Sequence, residues 1–413
     1  MVHHTIPTKI HKASKASSKI TPMTASLLLR VSMALIVGTL VACSSGPRSP
    51  TISGASDDGP ETGFPTGQVM DTAPLGAASL RPKSRWLPVR WAELPGVEHD
   101  ALHEAWNAWL RSCERPHVAL AQLCGDVRRL SIASAQEQRH WLQSTMQPYR
   151  IESLDGKSQG MLTSYYEPEM VGSRVRTEVY NIPLYAVPAG MASRKPWYTR
   201  QQIDTLPEAQ AALQGREIAW LSDPVEALVL HIQGSGRLRI TEADGSQRLI
   251  RLAYAATNDQ PYKSVGRWLL DRHLITDASW PGISAWIASN PSRVQEMLWS
   301  NPRYVFFKEE ALEGMETQFG PKGAQGVPLT PGRSIAVDRG SIPYGTPVWM
   351  YSKGMEVEYQ RLVLAQDTGS AIVGAVRADY FMGWGKEAGD LAGRIKQPLR
   401  LWALWPKGLP VPN

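Results

Sequence analysis

The last hundred residues constrain the fold most strongly, because they consist of short β-rich runs separated by turns. Glycine and proline lie between these runs, and few stretches have the apolar spacing of a helix. Several strands with turn signals and little helix predict a small closed barrel in this part of the chain. The runs are residues 305–308, 334–337, 347–351, 359–365 and 399–404.

Three aspartates, Asp338, Asp367 and Asp379, lie in this β-rich block. Asp367 and Asp379 each follow a run that ends in a small residue, which predicts a position at a strand end or in a tight turn. An aspartate taken alone is more often a turn former, and Asp338, just before a Ser-Ile-Pro-Tyr-Gly turn, is expected to be structural. The other two form a candidate carboxylate site among glycines. Aromatic residues that offer flat faces for stacking on sugar rings are Trp349, Tyr380 and Trp384.

Upstream of this block, helices have recognisable signals. One is predicted to open at Asp223, which precedes a proline, and to end near Gly234. Another is predicted to open at Asn290, also before a proline, and to end near Asn301. Residues 164–189 favour extended chain. An N-terminal helix is predicted from apolar residues on one face, namely Leu102, Ala105, Trp106, Trp109 and Leu110.

The N-terminal residues predict export. Residues 1–42 contain five basic residues and no acidic residue, and an apolar run ends at Leu-Val-Ala-Cys43. This pattern is typical of a secretory signal, and the sequence around Cys43 resembles the lipobox of bacterial lipoproteins, whose cysteine is acylated. Ordinary signal cleavage near a chance cysteine is the alternative. Residues 43–84 are rich in Gly, Ser, Pro, Thr and Ala and predict a flexible tether.

Charge and cysteine content narrow the function further. The net charge is +6, but residues 1–42 hold five of these charges, so the remainder carries about +1 and no nucleic-acid partner is expected. Cys113 and Cys124 are predicted to form a disulfide in an oxidising compartment, with two buried free thiols as the alternative. His99 and His103 have the spacing of two zinc ligands, but no third ligand is evident. We therefore expect no metal and no cofactor.

Several motifs resemble the membrane-bound lytic murein transglycosylase A family over about 60% of the chain. Outside the aspartate block they are Thr-Ser-Tyr-Tyr-Glu-Pro at 163–168, Ile-Gln-Gly-Ser-Gly at 232–236 and Asn-Pro-Arg-Tyr-Val-Phe-Phe at 301–307. Within the block they are Ala-Gln-Asp-Thr-Gly-Ser-Ala-Ile at 365–372 and Arg-Ala-Asp-Tyr-Phe-Met-Gly-Trp-Gly at 377–385. Ser370 stands where the family more often has glycine.

The resemblance implies a mainly β fold with some α. A double-psi β-barrel domain would carry a second, inserted β-rich domain, with a groove between them and helices at the N-terminus. On this sequence, the helical part and the first barrel segment would occupy residues 85–165. The inserted domain would occupy residues 166–303, and the barrel segment with the three aspartates residues 304–413.

The resemblance also implies a lytic transglycosylase that cuts peptidoglycan between N-acetylmuramic acid and N-acetylglucosamine and leaves 1,6-anhydro ends. Asp379 would be the catalytic acid, with a raised pKa, and Asp367 would assist it. Substrate-binding residues would be Tyr166, Gln233, Ser235 and Lys308. A non-catalytic, expansin-like binding lipoprotein and an inverting peptidoglycan hydrolase remain as alternatives.

The signal and the resemblance together predict where the protein works. It would be a monomer anchored by lipid to the outer membrane and facing the periplasm. Its main partner would be the glycan strands of peptidoglycan, and other cell-wall enzymes are candidate additional partners.

Overall fold

The computed structural model describes residues 74–355 and 357–412, which form two β-sheets with helices packed around them. The predicted signal, Cys43 and the predicted tether up to residue 73 lie outside the described residues. Within the described ranges, no helix is both long and apolar enough to cross a membrane. The strands are β1 (Ser79–Leu80), β2 (Arg85–Pro88), β3 (Met146–Glu152), β4 (Gly160–Glu167), β5 (Glu169–Ser173), β6 (Ile182–Tyr185), β7 (Glu217–Leu221), β8 (Gly236–Thr241), β9 (Gln247–Thr257), β10 (Val305–Ala311), β11 (Ser334–Val337), β12 (Pro347–Lys353), β13 (Glu358–Asp367), β14 (Arg377–Trp384) and β15 (Lys396–Pro406). The α-helices are α1 (Leu102–Ser112), α2 (Cys124–Arg129), α3 (Ala135–Thr145), α4 (Arg200–Thr205), α5 (Pro207–Leu213), α6 (Pro224–Gln233), α7 (Val265–Asp271), α8 (Trp280–Ser289), α9 (Val294–Trp299) and α10 (Gly385–Ala392).

Six strands of the first sheet close into a ring. Their order is β15-β12-β13-β11-β14-β4, and β4 pairs back with β15. The ring can close because β15 is long: residues 396–399 pair with β4 and residues 399–403 pair with β12. The small barrel predicted from the β-rich runs is therefore confirmed. Strands β3, β2 and β1 extend its sheet beyond β15.

The second sheet is inserted between β4 and β11 and has the order β6-β7-β5-β8-β9-β10. A bridge between Ala186 and Phe307 brings its two edges together. The inserted β-rich domain is thus present, but its limits differ from those expected. Strand β10 pairs along its length with β9, so the domain continues to Ala311 rather than ending at residue 303.

The folded part also begins earlier than the sequence predicted. Residues 79–84 were expected to belong to the tether, yet β1 pairs with β2 and the side chain of Ser84 is fully buried. The buried Arg81 donates from Nε to the carbonyl of Ser341 at 2.8 Å. These contacts with a distant part of the chain hold a segment whose one large apolar residue, Leu80, is itself exposed.

Helix α1 packs on the barrel through its predicted apolar face. Trp106 and Trp109 are 1% exposed, and their rings form a cluster with that of Trp141 from α3, with centroids between 5.4 and 5.9 Å apart. Cys113 directly follows this helix and is disulfide-bonded to Cys124, the first residue of α2. The crosslink therefore fixes the short loop between the two helices.

Helix α6 begins and ends as predicted. Asp223 accepts a hydrogen bond from the backbone N–H of Val225, and Gly234 adopts the left-handed conformation that glycine allows at little cost.

The prediction for Asn290 was wrong in detail. Its side chain donates to the carbonyl of Trp286 and so caps the end of α8, while a short 3₁₀ turn separates it from α9.

Glu167, the last residue of β4, forms a buried ion pair with two arginines of the second sheet. Its side chain is fully buried, and those of Arg237 and Arg251 are 3% and 6% exposed. Arg237 Nε donates to Oε2 at 2.8 Å and Arg251 Nε donates to Oε1 at 2.6 Å. Other guanidinium nitrogens donate to the carbonyls of Thr317 and Phe319. This cluster joins the barrel to the inserted domain at the point where the chain passes between them.

Replacing Glu167 with glutamine should destabilise the protein by about 3–5 kcal/mol, because two buried guanidinium charges would lose their carboxylate. Urea unfolding followed by tryptophan fluorescence measures this change. Glu114→Gln is the matched control, since its ion pair with Arg111 is exposed and should contribute less than about 1 kcal/mol. Equal losses in the two variants would contradict the assignment.

Candidate active site

Four residues on neighbouring barrel strands form a row across the sheet. Ala336 of β11 pairs with Asp367 of β13 on one side and with Asp379 of β14 on the other, and Asp379 pairs with Thr163 of β4. Residues paired across strands point to the same face, so the two carboxylates stand on either side of the small Ala336 methyl group. All four line a cleft of about 640 Å³, which is also lined by residues of the inserted domain.

Asp379 is held by a relay of two side chains. Its Oδ1 accepts a hydrogen bond from the Thr163 hydroxyl at 2.5 Å, and Thr163 Oγ1 accepts one from Arg377 Nη2 at 2.8 Å. Within the described part of the chain, Oδ2 has no hydrogen-bond partner. Asp379 lies inside β14, not at a strand end or in a turn as predicted, whereas Asp367 is the last residue of β13.

Burial is the main cause that raises the pKa of Asp379 from its ordinary 3.8 to about 6. The Thr163 hydrogen bond and the charge of Arg377 oppose this shift, while the neighbouring Asp367 carboxylate adds to it. At pH 6 about half of the Asp379 side chains therefore carry a proton. A carboxyl group with such a pKa can act as a proton donor close to neutral pH.

Asp367 has a different environment from Asp379, because both of its oxygens accept hydrogen bonds. Oδ2 accepts from the Tyr165 hydroxyl at 2.8 Å and Oδ1 from the backbone N–H of Ala324 at 2.9 Å. Burial raises the pKa of Tyr165 well above its usual value, so this hydroxyl remains a donor. Burial also raises the pKa of Asp367. Asp367 is thus anchored on two sides.

Tyr165, not Tyr166, is the tyrosine beside the carboxylates. Alternate residues of a strand point to opposite faces, so Thr163 and Tyr165 face the carboxylates while Ser164 and Tyr166 face away. The Ser164 hydroxyl donates to a carbonyl at the end of α10, and the Tyr166 ring covers Gly389 of the same helix. The sequence analysis did not single out Thr163 or Tyr165, and the substrate-binding role of Tyr166 stays a prediction.

Three other predicted binding residues do line the cleft, on the side of the inserted domain. Gln233 and Ser235 lie at the end of α6, and Lys308 lies on β10. Gln233 Oε1 accepts from the backbone N–H of Tyr166 at 3.1 Å, and its amide nitrogen has no acceptor among the residues that the structure describes. Lys308 forms an ion pair with Glu310, another residue of the cleft wall.

Two of the three aromatic residues predicted to stack on sugars are buried in the core. Trp349 and Tyr380 are each 1% exposed and belong to the core of the barrel domain. Trp384 is covered on one ring face by the guanidinium of Arg237, 3.8 Å from its centroid. Two tyrosines that the sequence analysis did not single out, Tyr254 and Tyr262, line the cleft instead.

Asp338 has a structural environment. Its Oδ1 accepts from the backbone N–H of Gly340 at 2.9 Å, and its Oδ2 accepts from that of Gly374 at 2.8 Å. The side chain therefore connects the turn after β11 to the turn before β14. Asp338 is absent from the residues that line the cleft.

Comparisons with known proteins agree with this architecture. Residues 161–308 match the family model of the MltA specific insert domain, and residues 333–405 match that of the 3D domain. Membrane-bound lytic murein transglycosylase A of Vibrio cholerae serotype O1 is 31% identical over 263 residues, which cover 60% of this chain and 67% of that protein.

Two solved structures have similar folds. The lytic transglycosylase LtgG of Burkholderia pseudomallei is 42% identical, with a TM-score of 0.55 over 81% of this chain and 100% of that one. MltA from Neisseria gonorrhoeae is 30% identical, with a TM-score of 0.67 over 82% of this chain and 97% of that one.

Replacing Asp379 with asparagine should stabilise the fold above pH 6 and have less effect near pH 4. In the folded protein the Asp379 carboxyl has a pKa of about 6, above its ordinary 3.8. Ionisation of this carboxyl at high pH therefore destabilises the folded state relative to the unfolded state. This penalty disappears as the pH falls through 6 towards 4. The stability difference between the two proteins should change by about 2 kcal/mol between pH 7.5 and pH 4, as measured by urea unfolding. A difference that is independent of pH would contradict the raised pKa.

Proposed function

The chain belongs to the membrane-bound lytic murein transglycosylase A family, and we infer from that membership and from the site that it cleaves the glycan strands of peptidoglycan. The cut falls at the β-1,4 bond between N-acetylmuramic acid and N-acetylglucosamine and leaves a 1,6-anhydro-N-acetylmuramic acid end. The raised pKa of Asp379, about 6, carries the assignment of the acid. This residue also lines the cleft, and its Oδ2 has no hydrogen-bond partner among the described residues.

Asp379 is proposed to donate its proton from Oδ2 to the oxygen of the scissile bond. Thr163 Oγ1 accepts a hydrogen bond from Arg377, which can only donate, and donates its own proton to Asp379 Oδ1. With Oδ1 engaged as an acceptor, the acid proton of Asp379 belongs on Oδ2. The relay thereby holds the proton on the oxygen that has no partner in the protein.

The attacking group is the C6 hydroxyl of the same muramic acid ring. The bond from C1 to the leaving oxygen breaks, the C1–O6 bond forms, and the ionised Asp379 then takes the proton from O6. No water is consumed. An intramolecular nucleophile held in the correct geometry can gain roughly 7–11 kcal/mol from proximity, which is why a second carboxylate is not needed to supply a nucleophile.

Asp367 is proposed to position the site rather than to act as a base. Both of its oxygens already accept hydrogen bonds, from Tyr165 and from the backbone of Ala324. Its negative charge helps to keep the pKa of Asp379 high. Transglycosylation needs no base that activates water, and the two hydrogen bonds suit Asp367 to a fixed, positioning role.

The glycan is proposed to lie against the inserted domain, where Gln233, Ser235 and Lys308 line the cleft. The free amide nitrogen of Gln233 and the hydroxyl of Ser235 suit acetamido and hydroxyl groups. Tyr254 is 49% exposed and offers a ring face for a sugar. Tyr166 retains an indirect role, because its backbone N–H orients the Gln233 side chain.

Digestion of purified sacculi tests the function directly. The full-length chain should release muropeptides with 1,6-anhydro-N-acetylmuramic acid ends, identified by mass spectrometry, and Asp379→Asn should reduce their formation by at least a thousandfold. Asp338→Asn is a control for loss of a carboxylate outside the cleft. Products heavier by one water would indicate a hydrolase, and sedimentation with sacculi without any release would indicate a binding protein.

Replacing Thr163 with valine should lower kcat about tenfold with little change in KM, because the acid proton would no longer be held on Oδ2. The loss of this hydrogen bond should also raise the pKa of Asp379, so the high-pH limb of the rate profile should move to higher pH. Thr163→Ser, which keeps the hydroxyl, should restore both properties. A valine variant with an unchanged pH profile would argue against the relay.

Association with a membrane is expected because curated relatives are named membrane-bound. We propose that acylation of Cys43 anchors the protein to the outer membrane, facing the periplasm, as a monomer. Metabolic labelling with an alkyne fatty acid should modify the chain, and Cys43→Ala should abolish the label and move the protein to the soluble fraction. Retention of Cys43→Ala in the outer membrane would contradict this anchor.

A further inference from the structure

His231 lies near the end of α6, lines the cleft and has a fixed hydrogen-bonding state. Its Nδ1 lies 2.8 Å from Arg200 Nη2. An arginine side chain only donates, so Nδ1 must be the acceptor and the neutral ring must carry its proton on Nε2. Burial and the charge of Arg200 lower the pKa of His231 well below its usual value, so the ring is neutral.

The proton on Nε2 has no acceptor among the described residues. The His231 side chain is buried and 5% exposed, and Nε2 is a buried polar atom without a hydrogen-bond partner. Leaving a buried donor without an acceptor destabilises the folded protein, and most buried donors in proteins are satisfied. His231 lines the cleft but Nε2 is closed off from solvent, so a ligand acceptor reaches this donor only if the surrounding side chains move when the ligand binds.

The surroundings of His231 indicate the kind of acceptor. The ring packs between Tyr304 and Phe307, with centroids 4.2 and 5.5 Å away, and apolar Ala253 and Val305 line the same cleft. An acetamido group offers a carbonyl oxygen that only accepts and a methyl group that suits an apolar wall. A sugar hydroxyl also accepts, but it brings a proton of its own and has no methyl group.

We propose that His231 forms an N-acetyl subsite, in which Nε2–H donates to the carbonyl oxygen of the acetamido group on a bound sugar ring. Arg200 is the positioning residue, because it fixes the tautomer of His231 through Nδ1. This subsite rests on the proposed binding of glycan in the cleft. With this contact, glycan binding would depend on the N-acetyl group of the sugar as well as on its hydroxyl groups.

Nuclear magnetic resonance of the His231 ring nitrogens tests the subsite in the full-length Asp379→Asn chain, which prevents turnover. The Nε2–H tautomer should persist from about pH 5 to pH 8. A β-1,4-linked hexamer of N-acetylglucosamine should shift the Nε2–H proton downfield, whereas cellohexaose, which has hydroxyls in place of acetamido groups, should not. A proton on Nδ1, or the same response to both sugars, would overturn the proposal.

Binding affinities provide the second measurement. His231→Asn keeps an acceptor for Arg200 near the position of Nδ1, so the variant should fold. It removes the Nε2–H donor, so it should bind the N-acetylglucosamine hexamer about tenfold more weakly. His140→Asn, the same change on α3 outside the cleft, should have no effect. An unchanged affinity of His231→Asn, or a response only to peptide-bearing fragments, would overturn the acetamido assignment. Because this test uses an inactive chain and a peptide-free sugar, its failure is distinguishable from a failure to cleave sacculi.

Discussion

One face of strand β4 makes the contacts on which the rest of the site depends. Three alternate residues point to that face: Thr163 donates to Asp379, Tyr165 donates to Asp367, and Glu167 binds Arg237 and Arg251 of the inserted domain. The same strand therefore holds both carboxylates and fixes the wall of the cleft opposite them. A shift of β4 by one residue would exchange its two faces and break all three contacts together.

The two carboxylates have different surroundings, although they occupy equivalent positions beside Ala336. Asp367 is held by donors at both oxygens, so it remains in place and contributes charge. Asp379 has one engaged oxygen and one free oxygen, and its pKa is raised to about 6 mainly by burial. This asymmetry suits a reaction that needs one group to give a proton and take one back, while the substrate supplies the nucleophile.

Much of this arrangement could be predicted from the sequence, and the remainder depends on long-range packing. The barrel followed from the β-rich runs, and the aspartates stood out by their spacing and by family resemblance. The burial of Trp349 and Tyr380 could not be predicted, because a barrel strand can be covered on both faces. The pairing of β10 with β9 likewise depends on a partner strand nearly fifty residues away in the chain. The contacts of Thr163 and Tyr165 with the aspartates depend on the pairing of β4 with β14, which the sequence alone does not give.

The central claim is that the reaction is intramolecular and that Asp379 is its acid. Digestion of sacculi by the full-length chain in water enriched in oxygen-18 tests the first part most directly, because each hydrolytic cut must place one solvent oxygen in a product. An intramolecular reaction should give new ends with no oxygen-18 above the level of an enzyme-free control. Incorporation of one labelled oxygen for each new end would contradict it and would require a base that activates water.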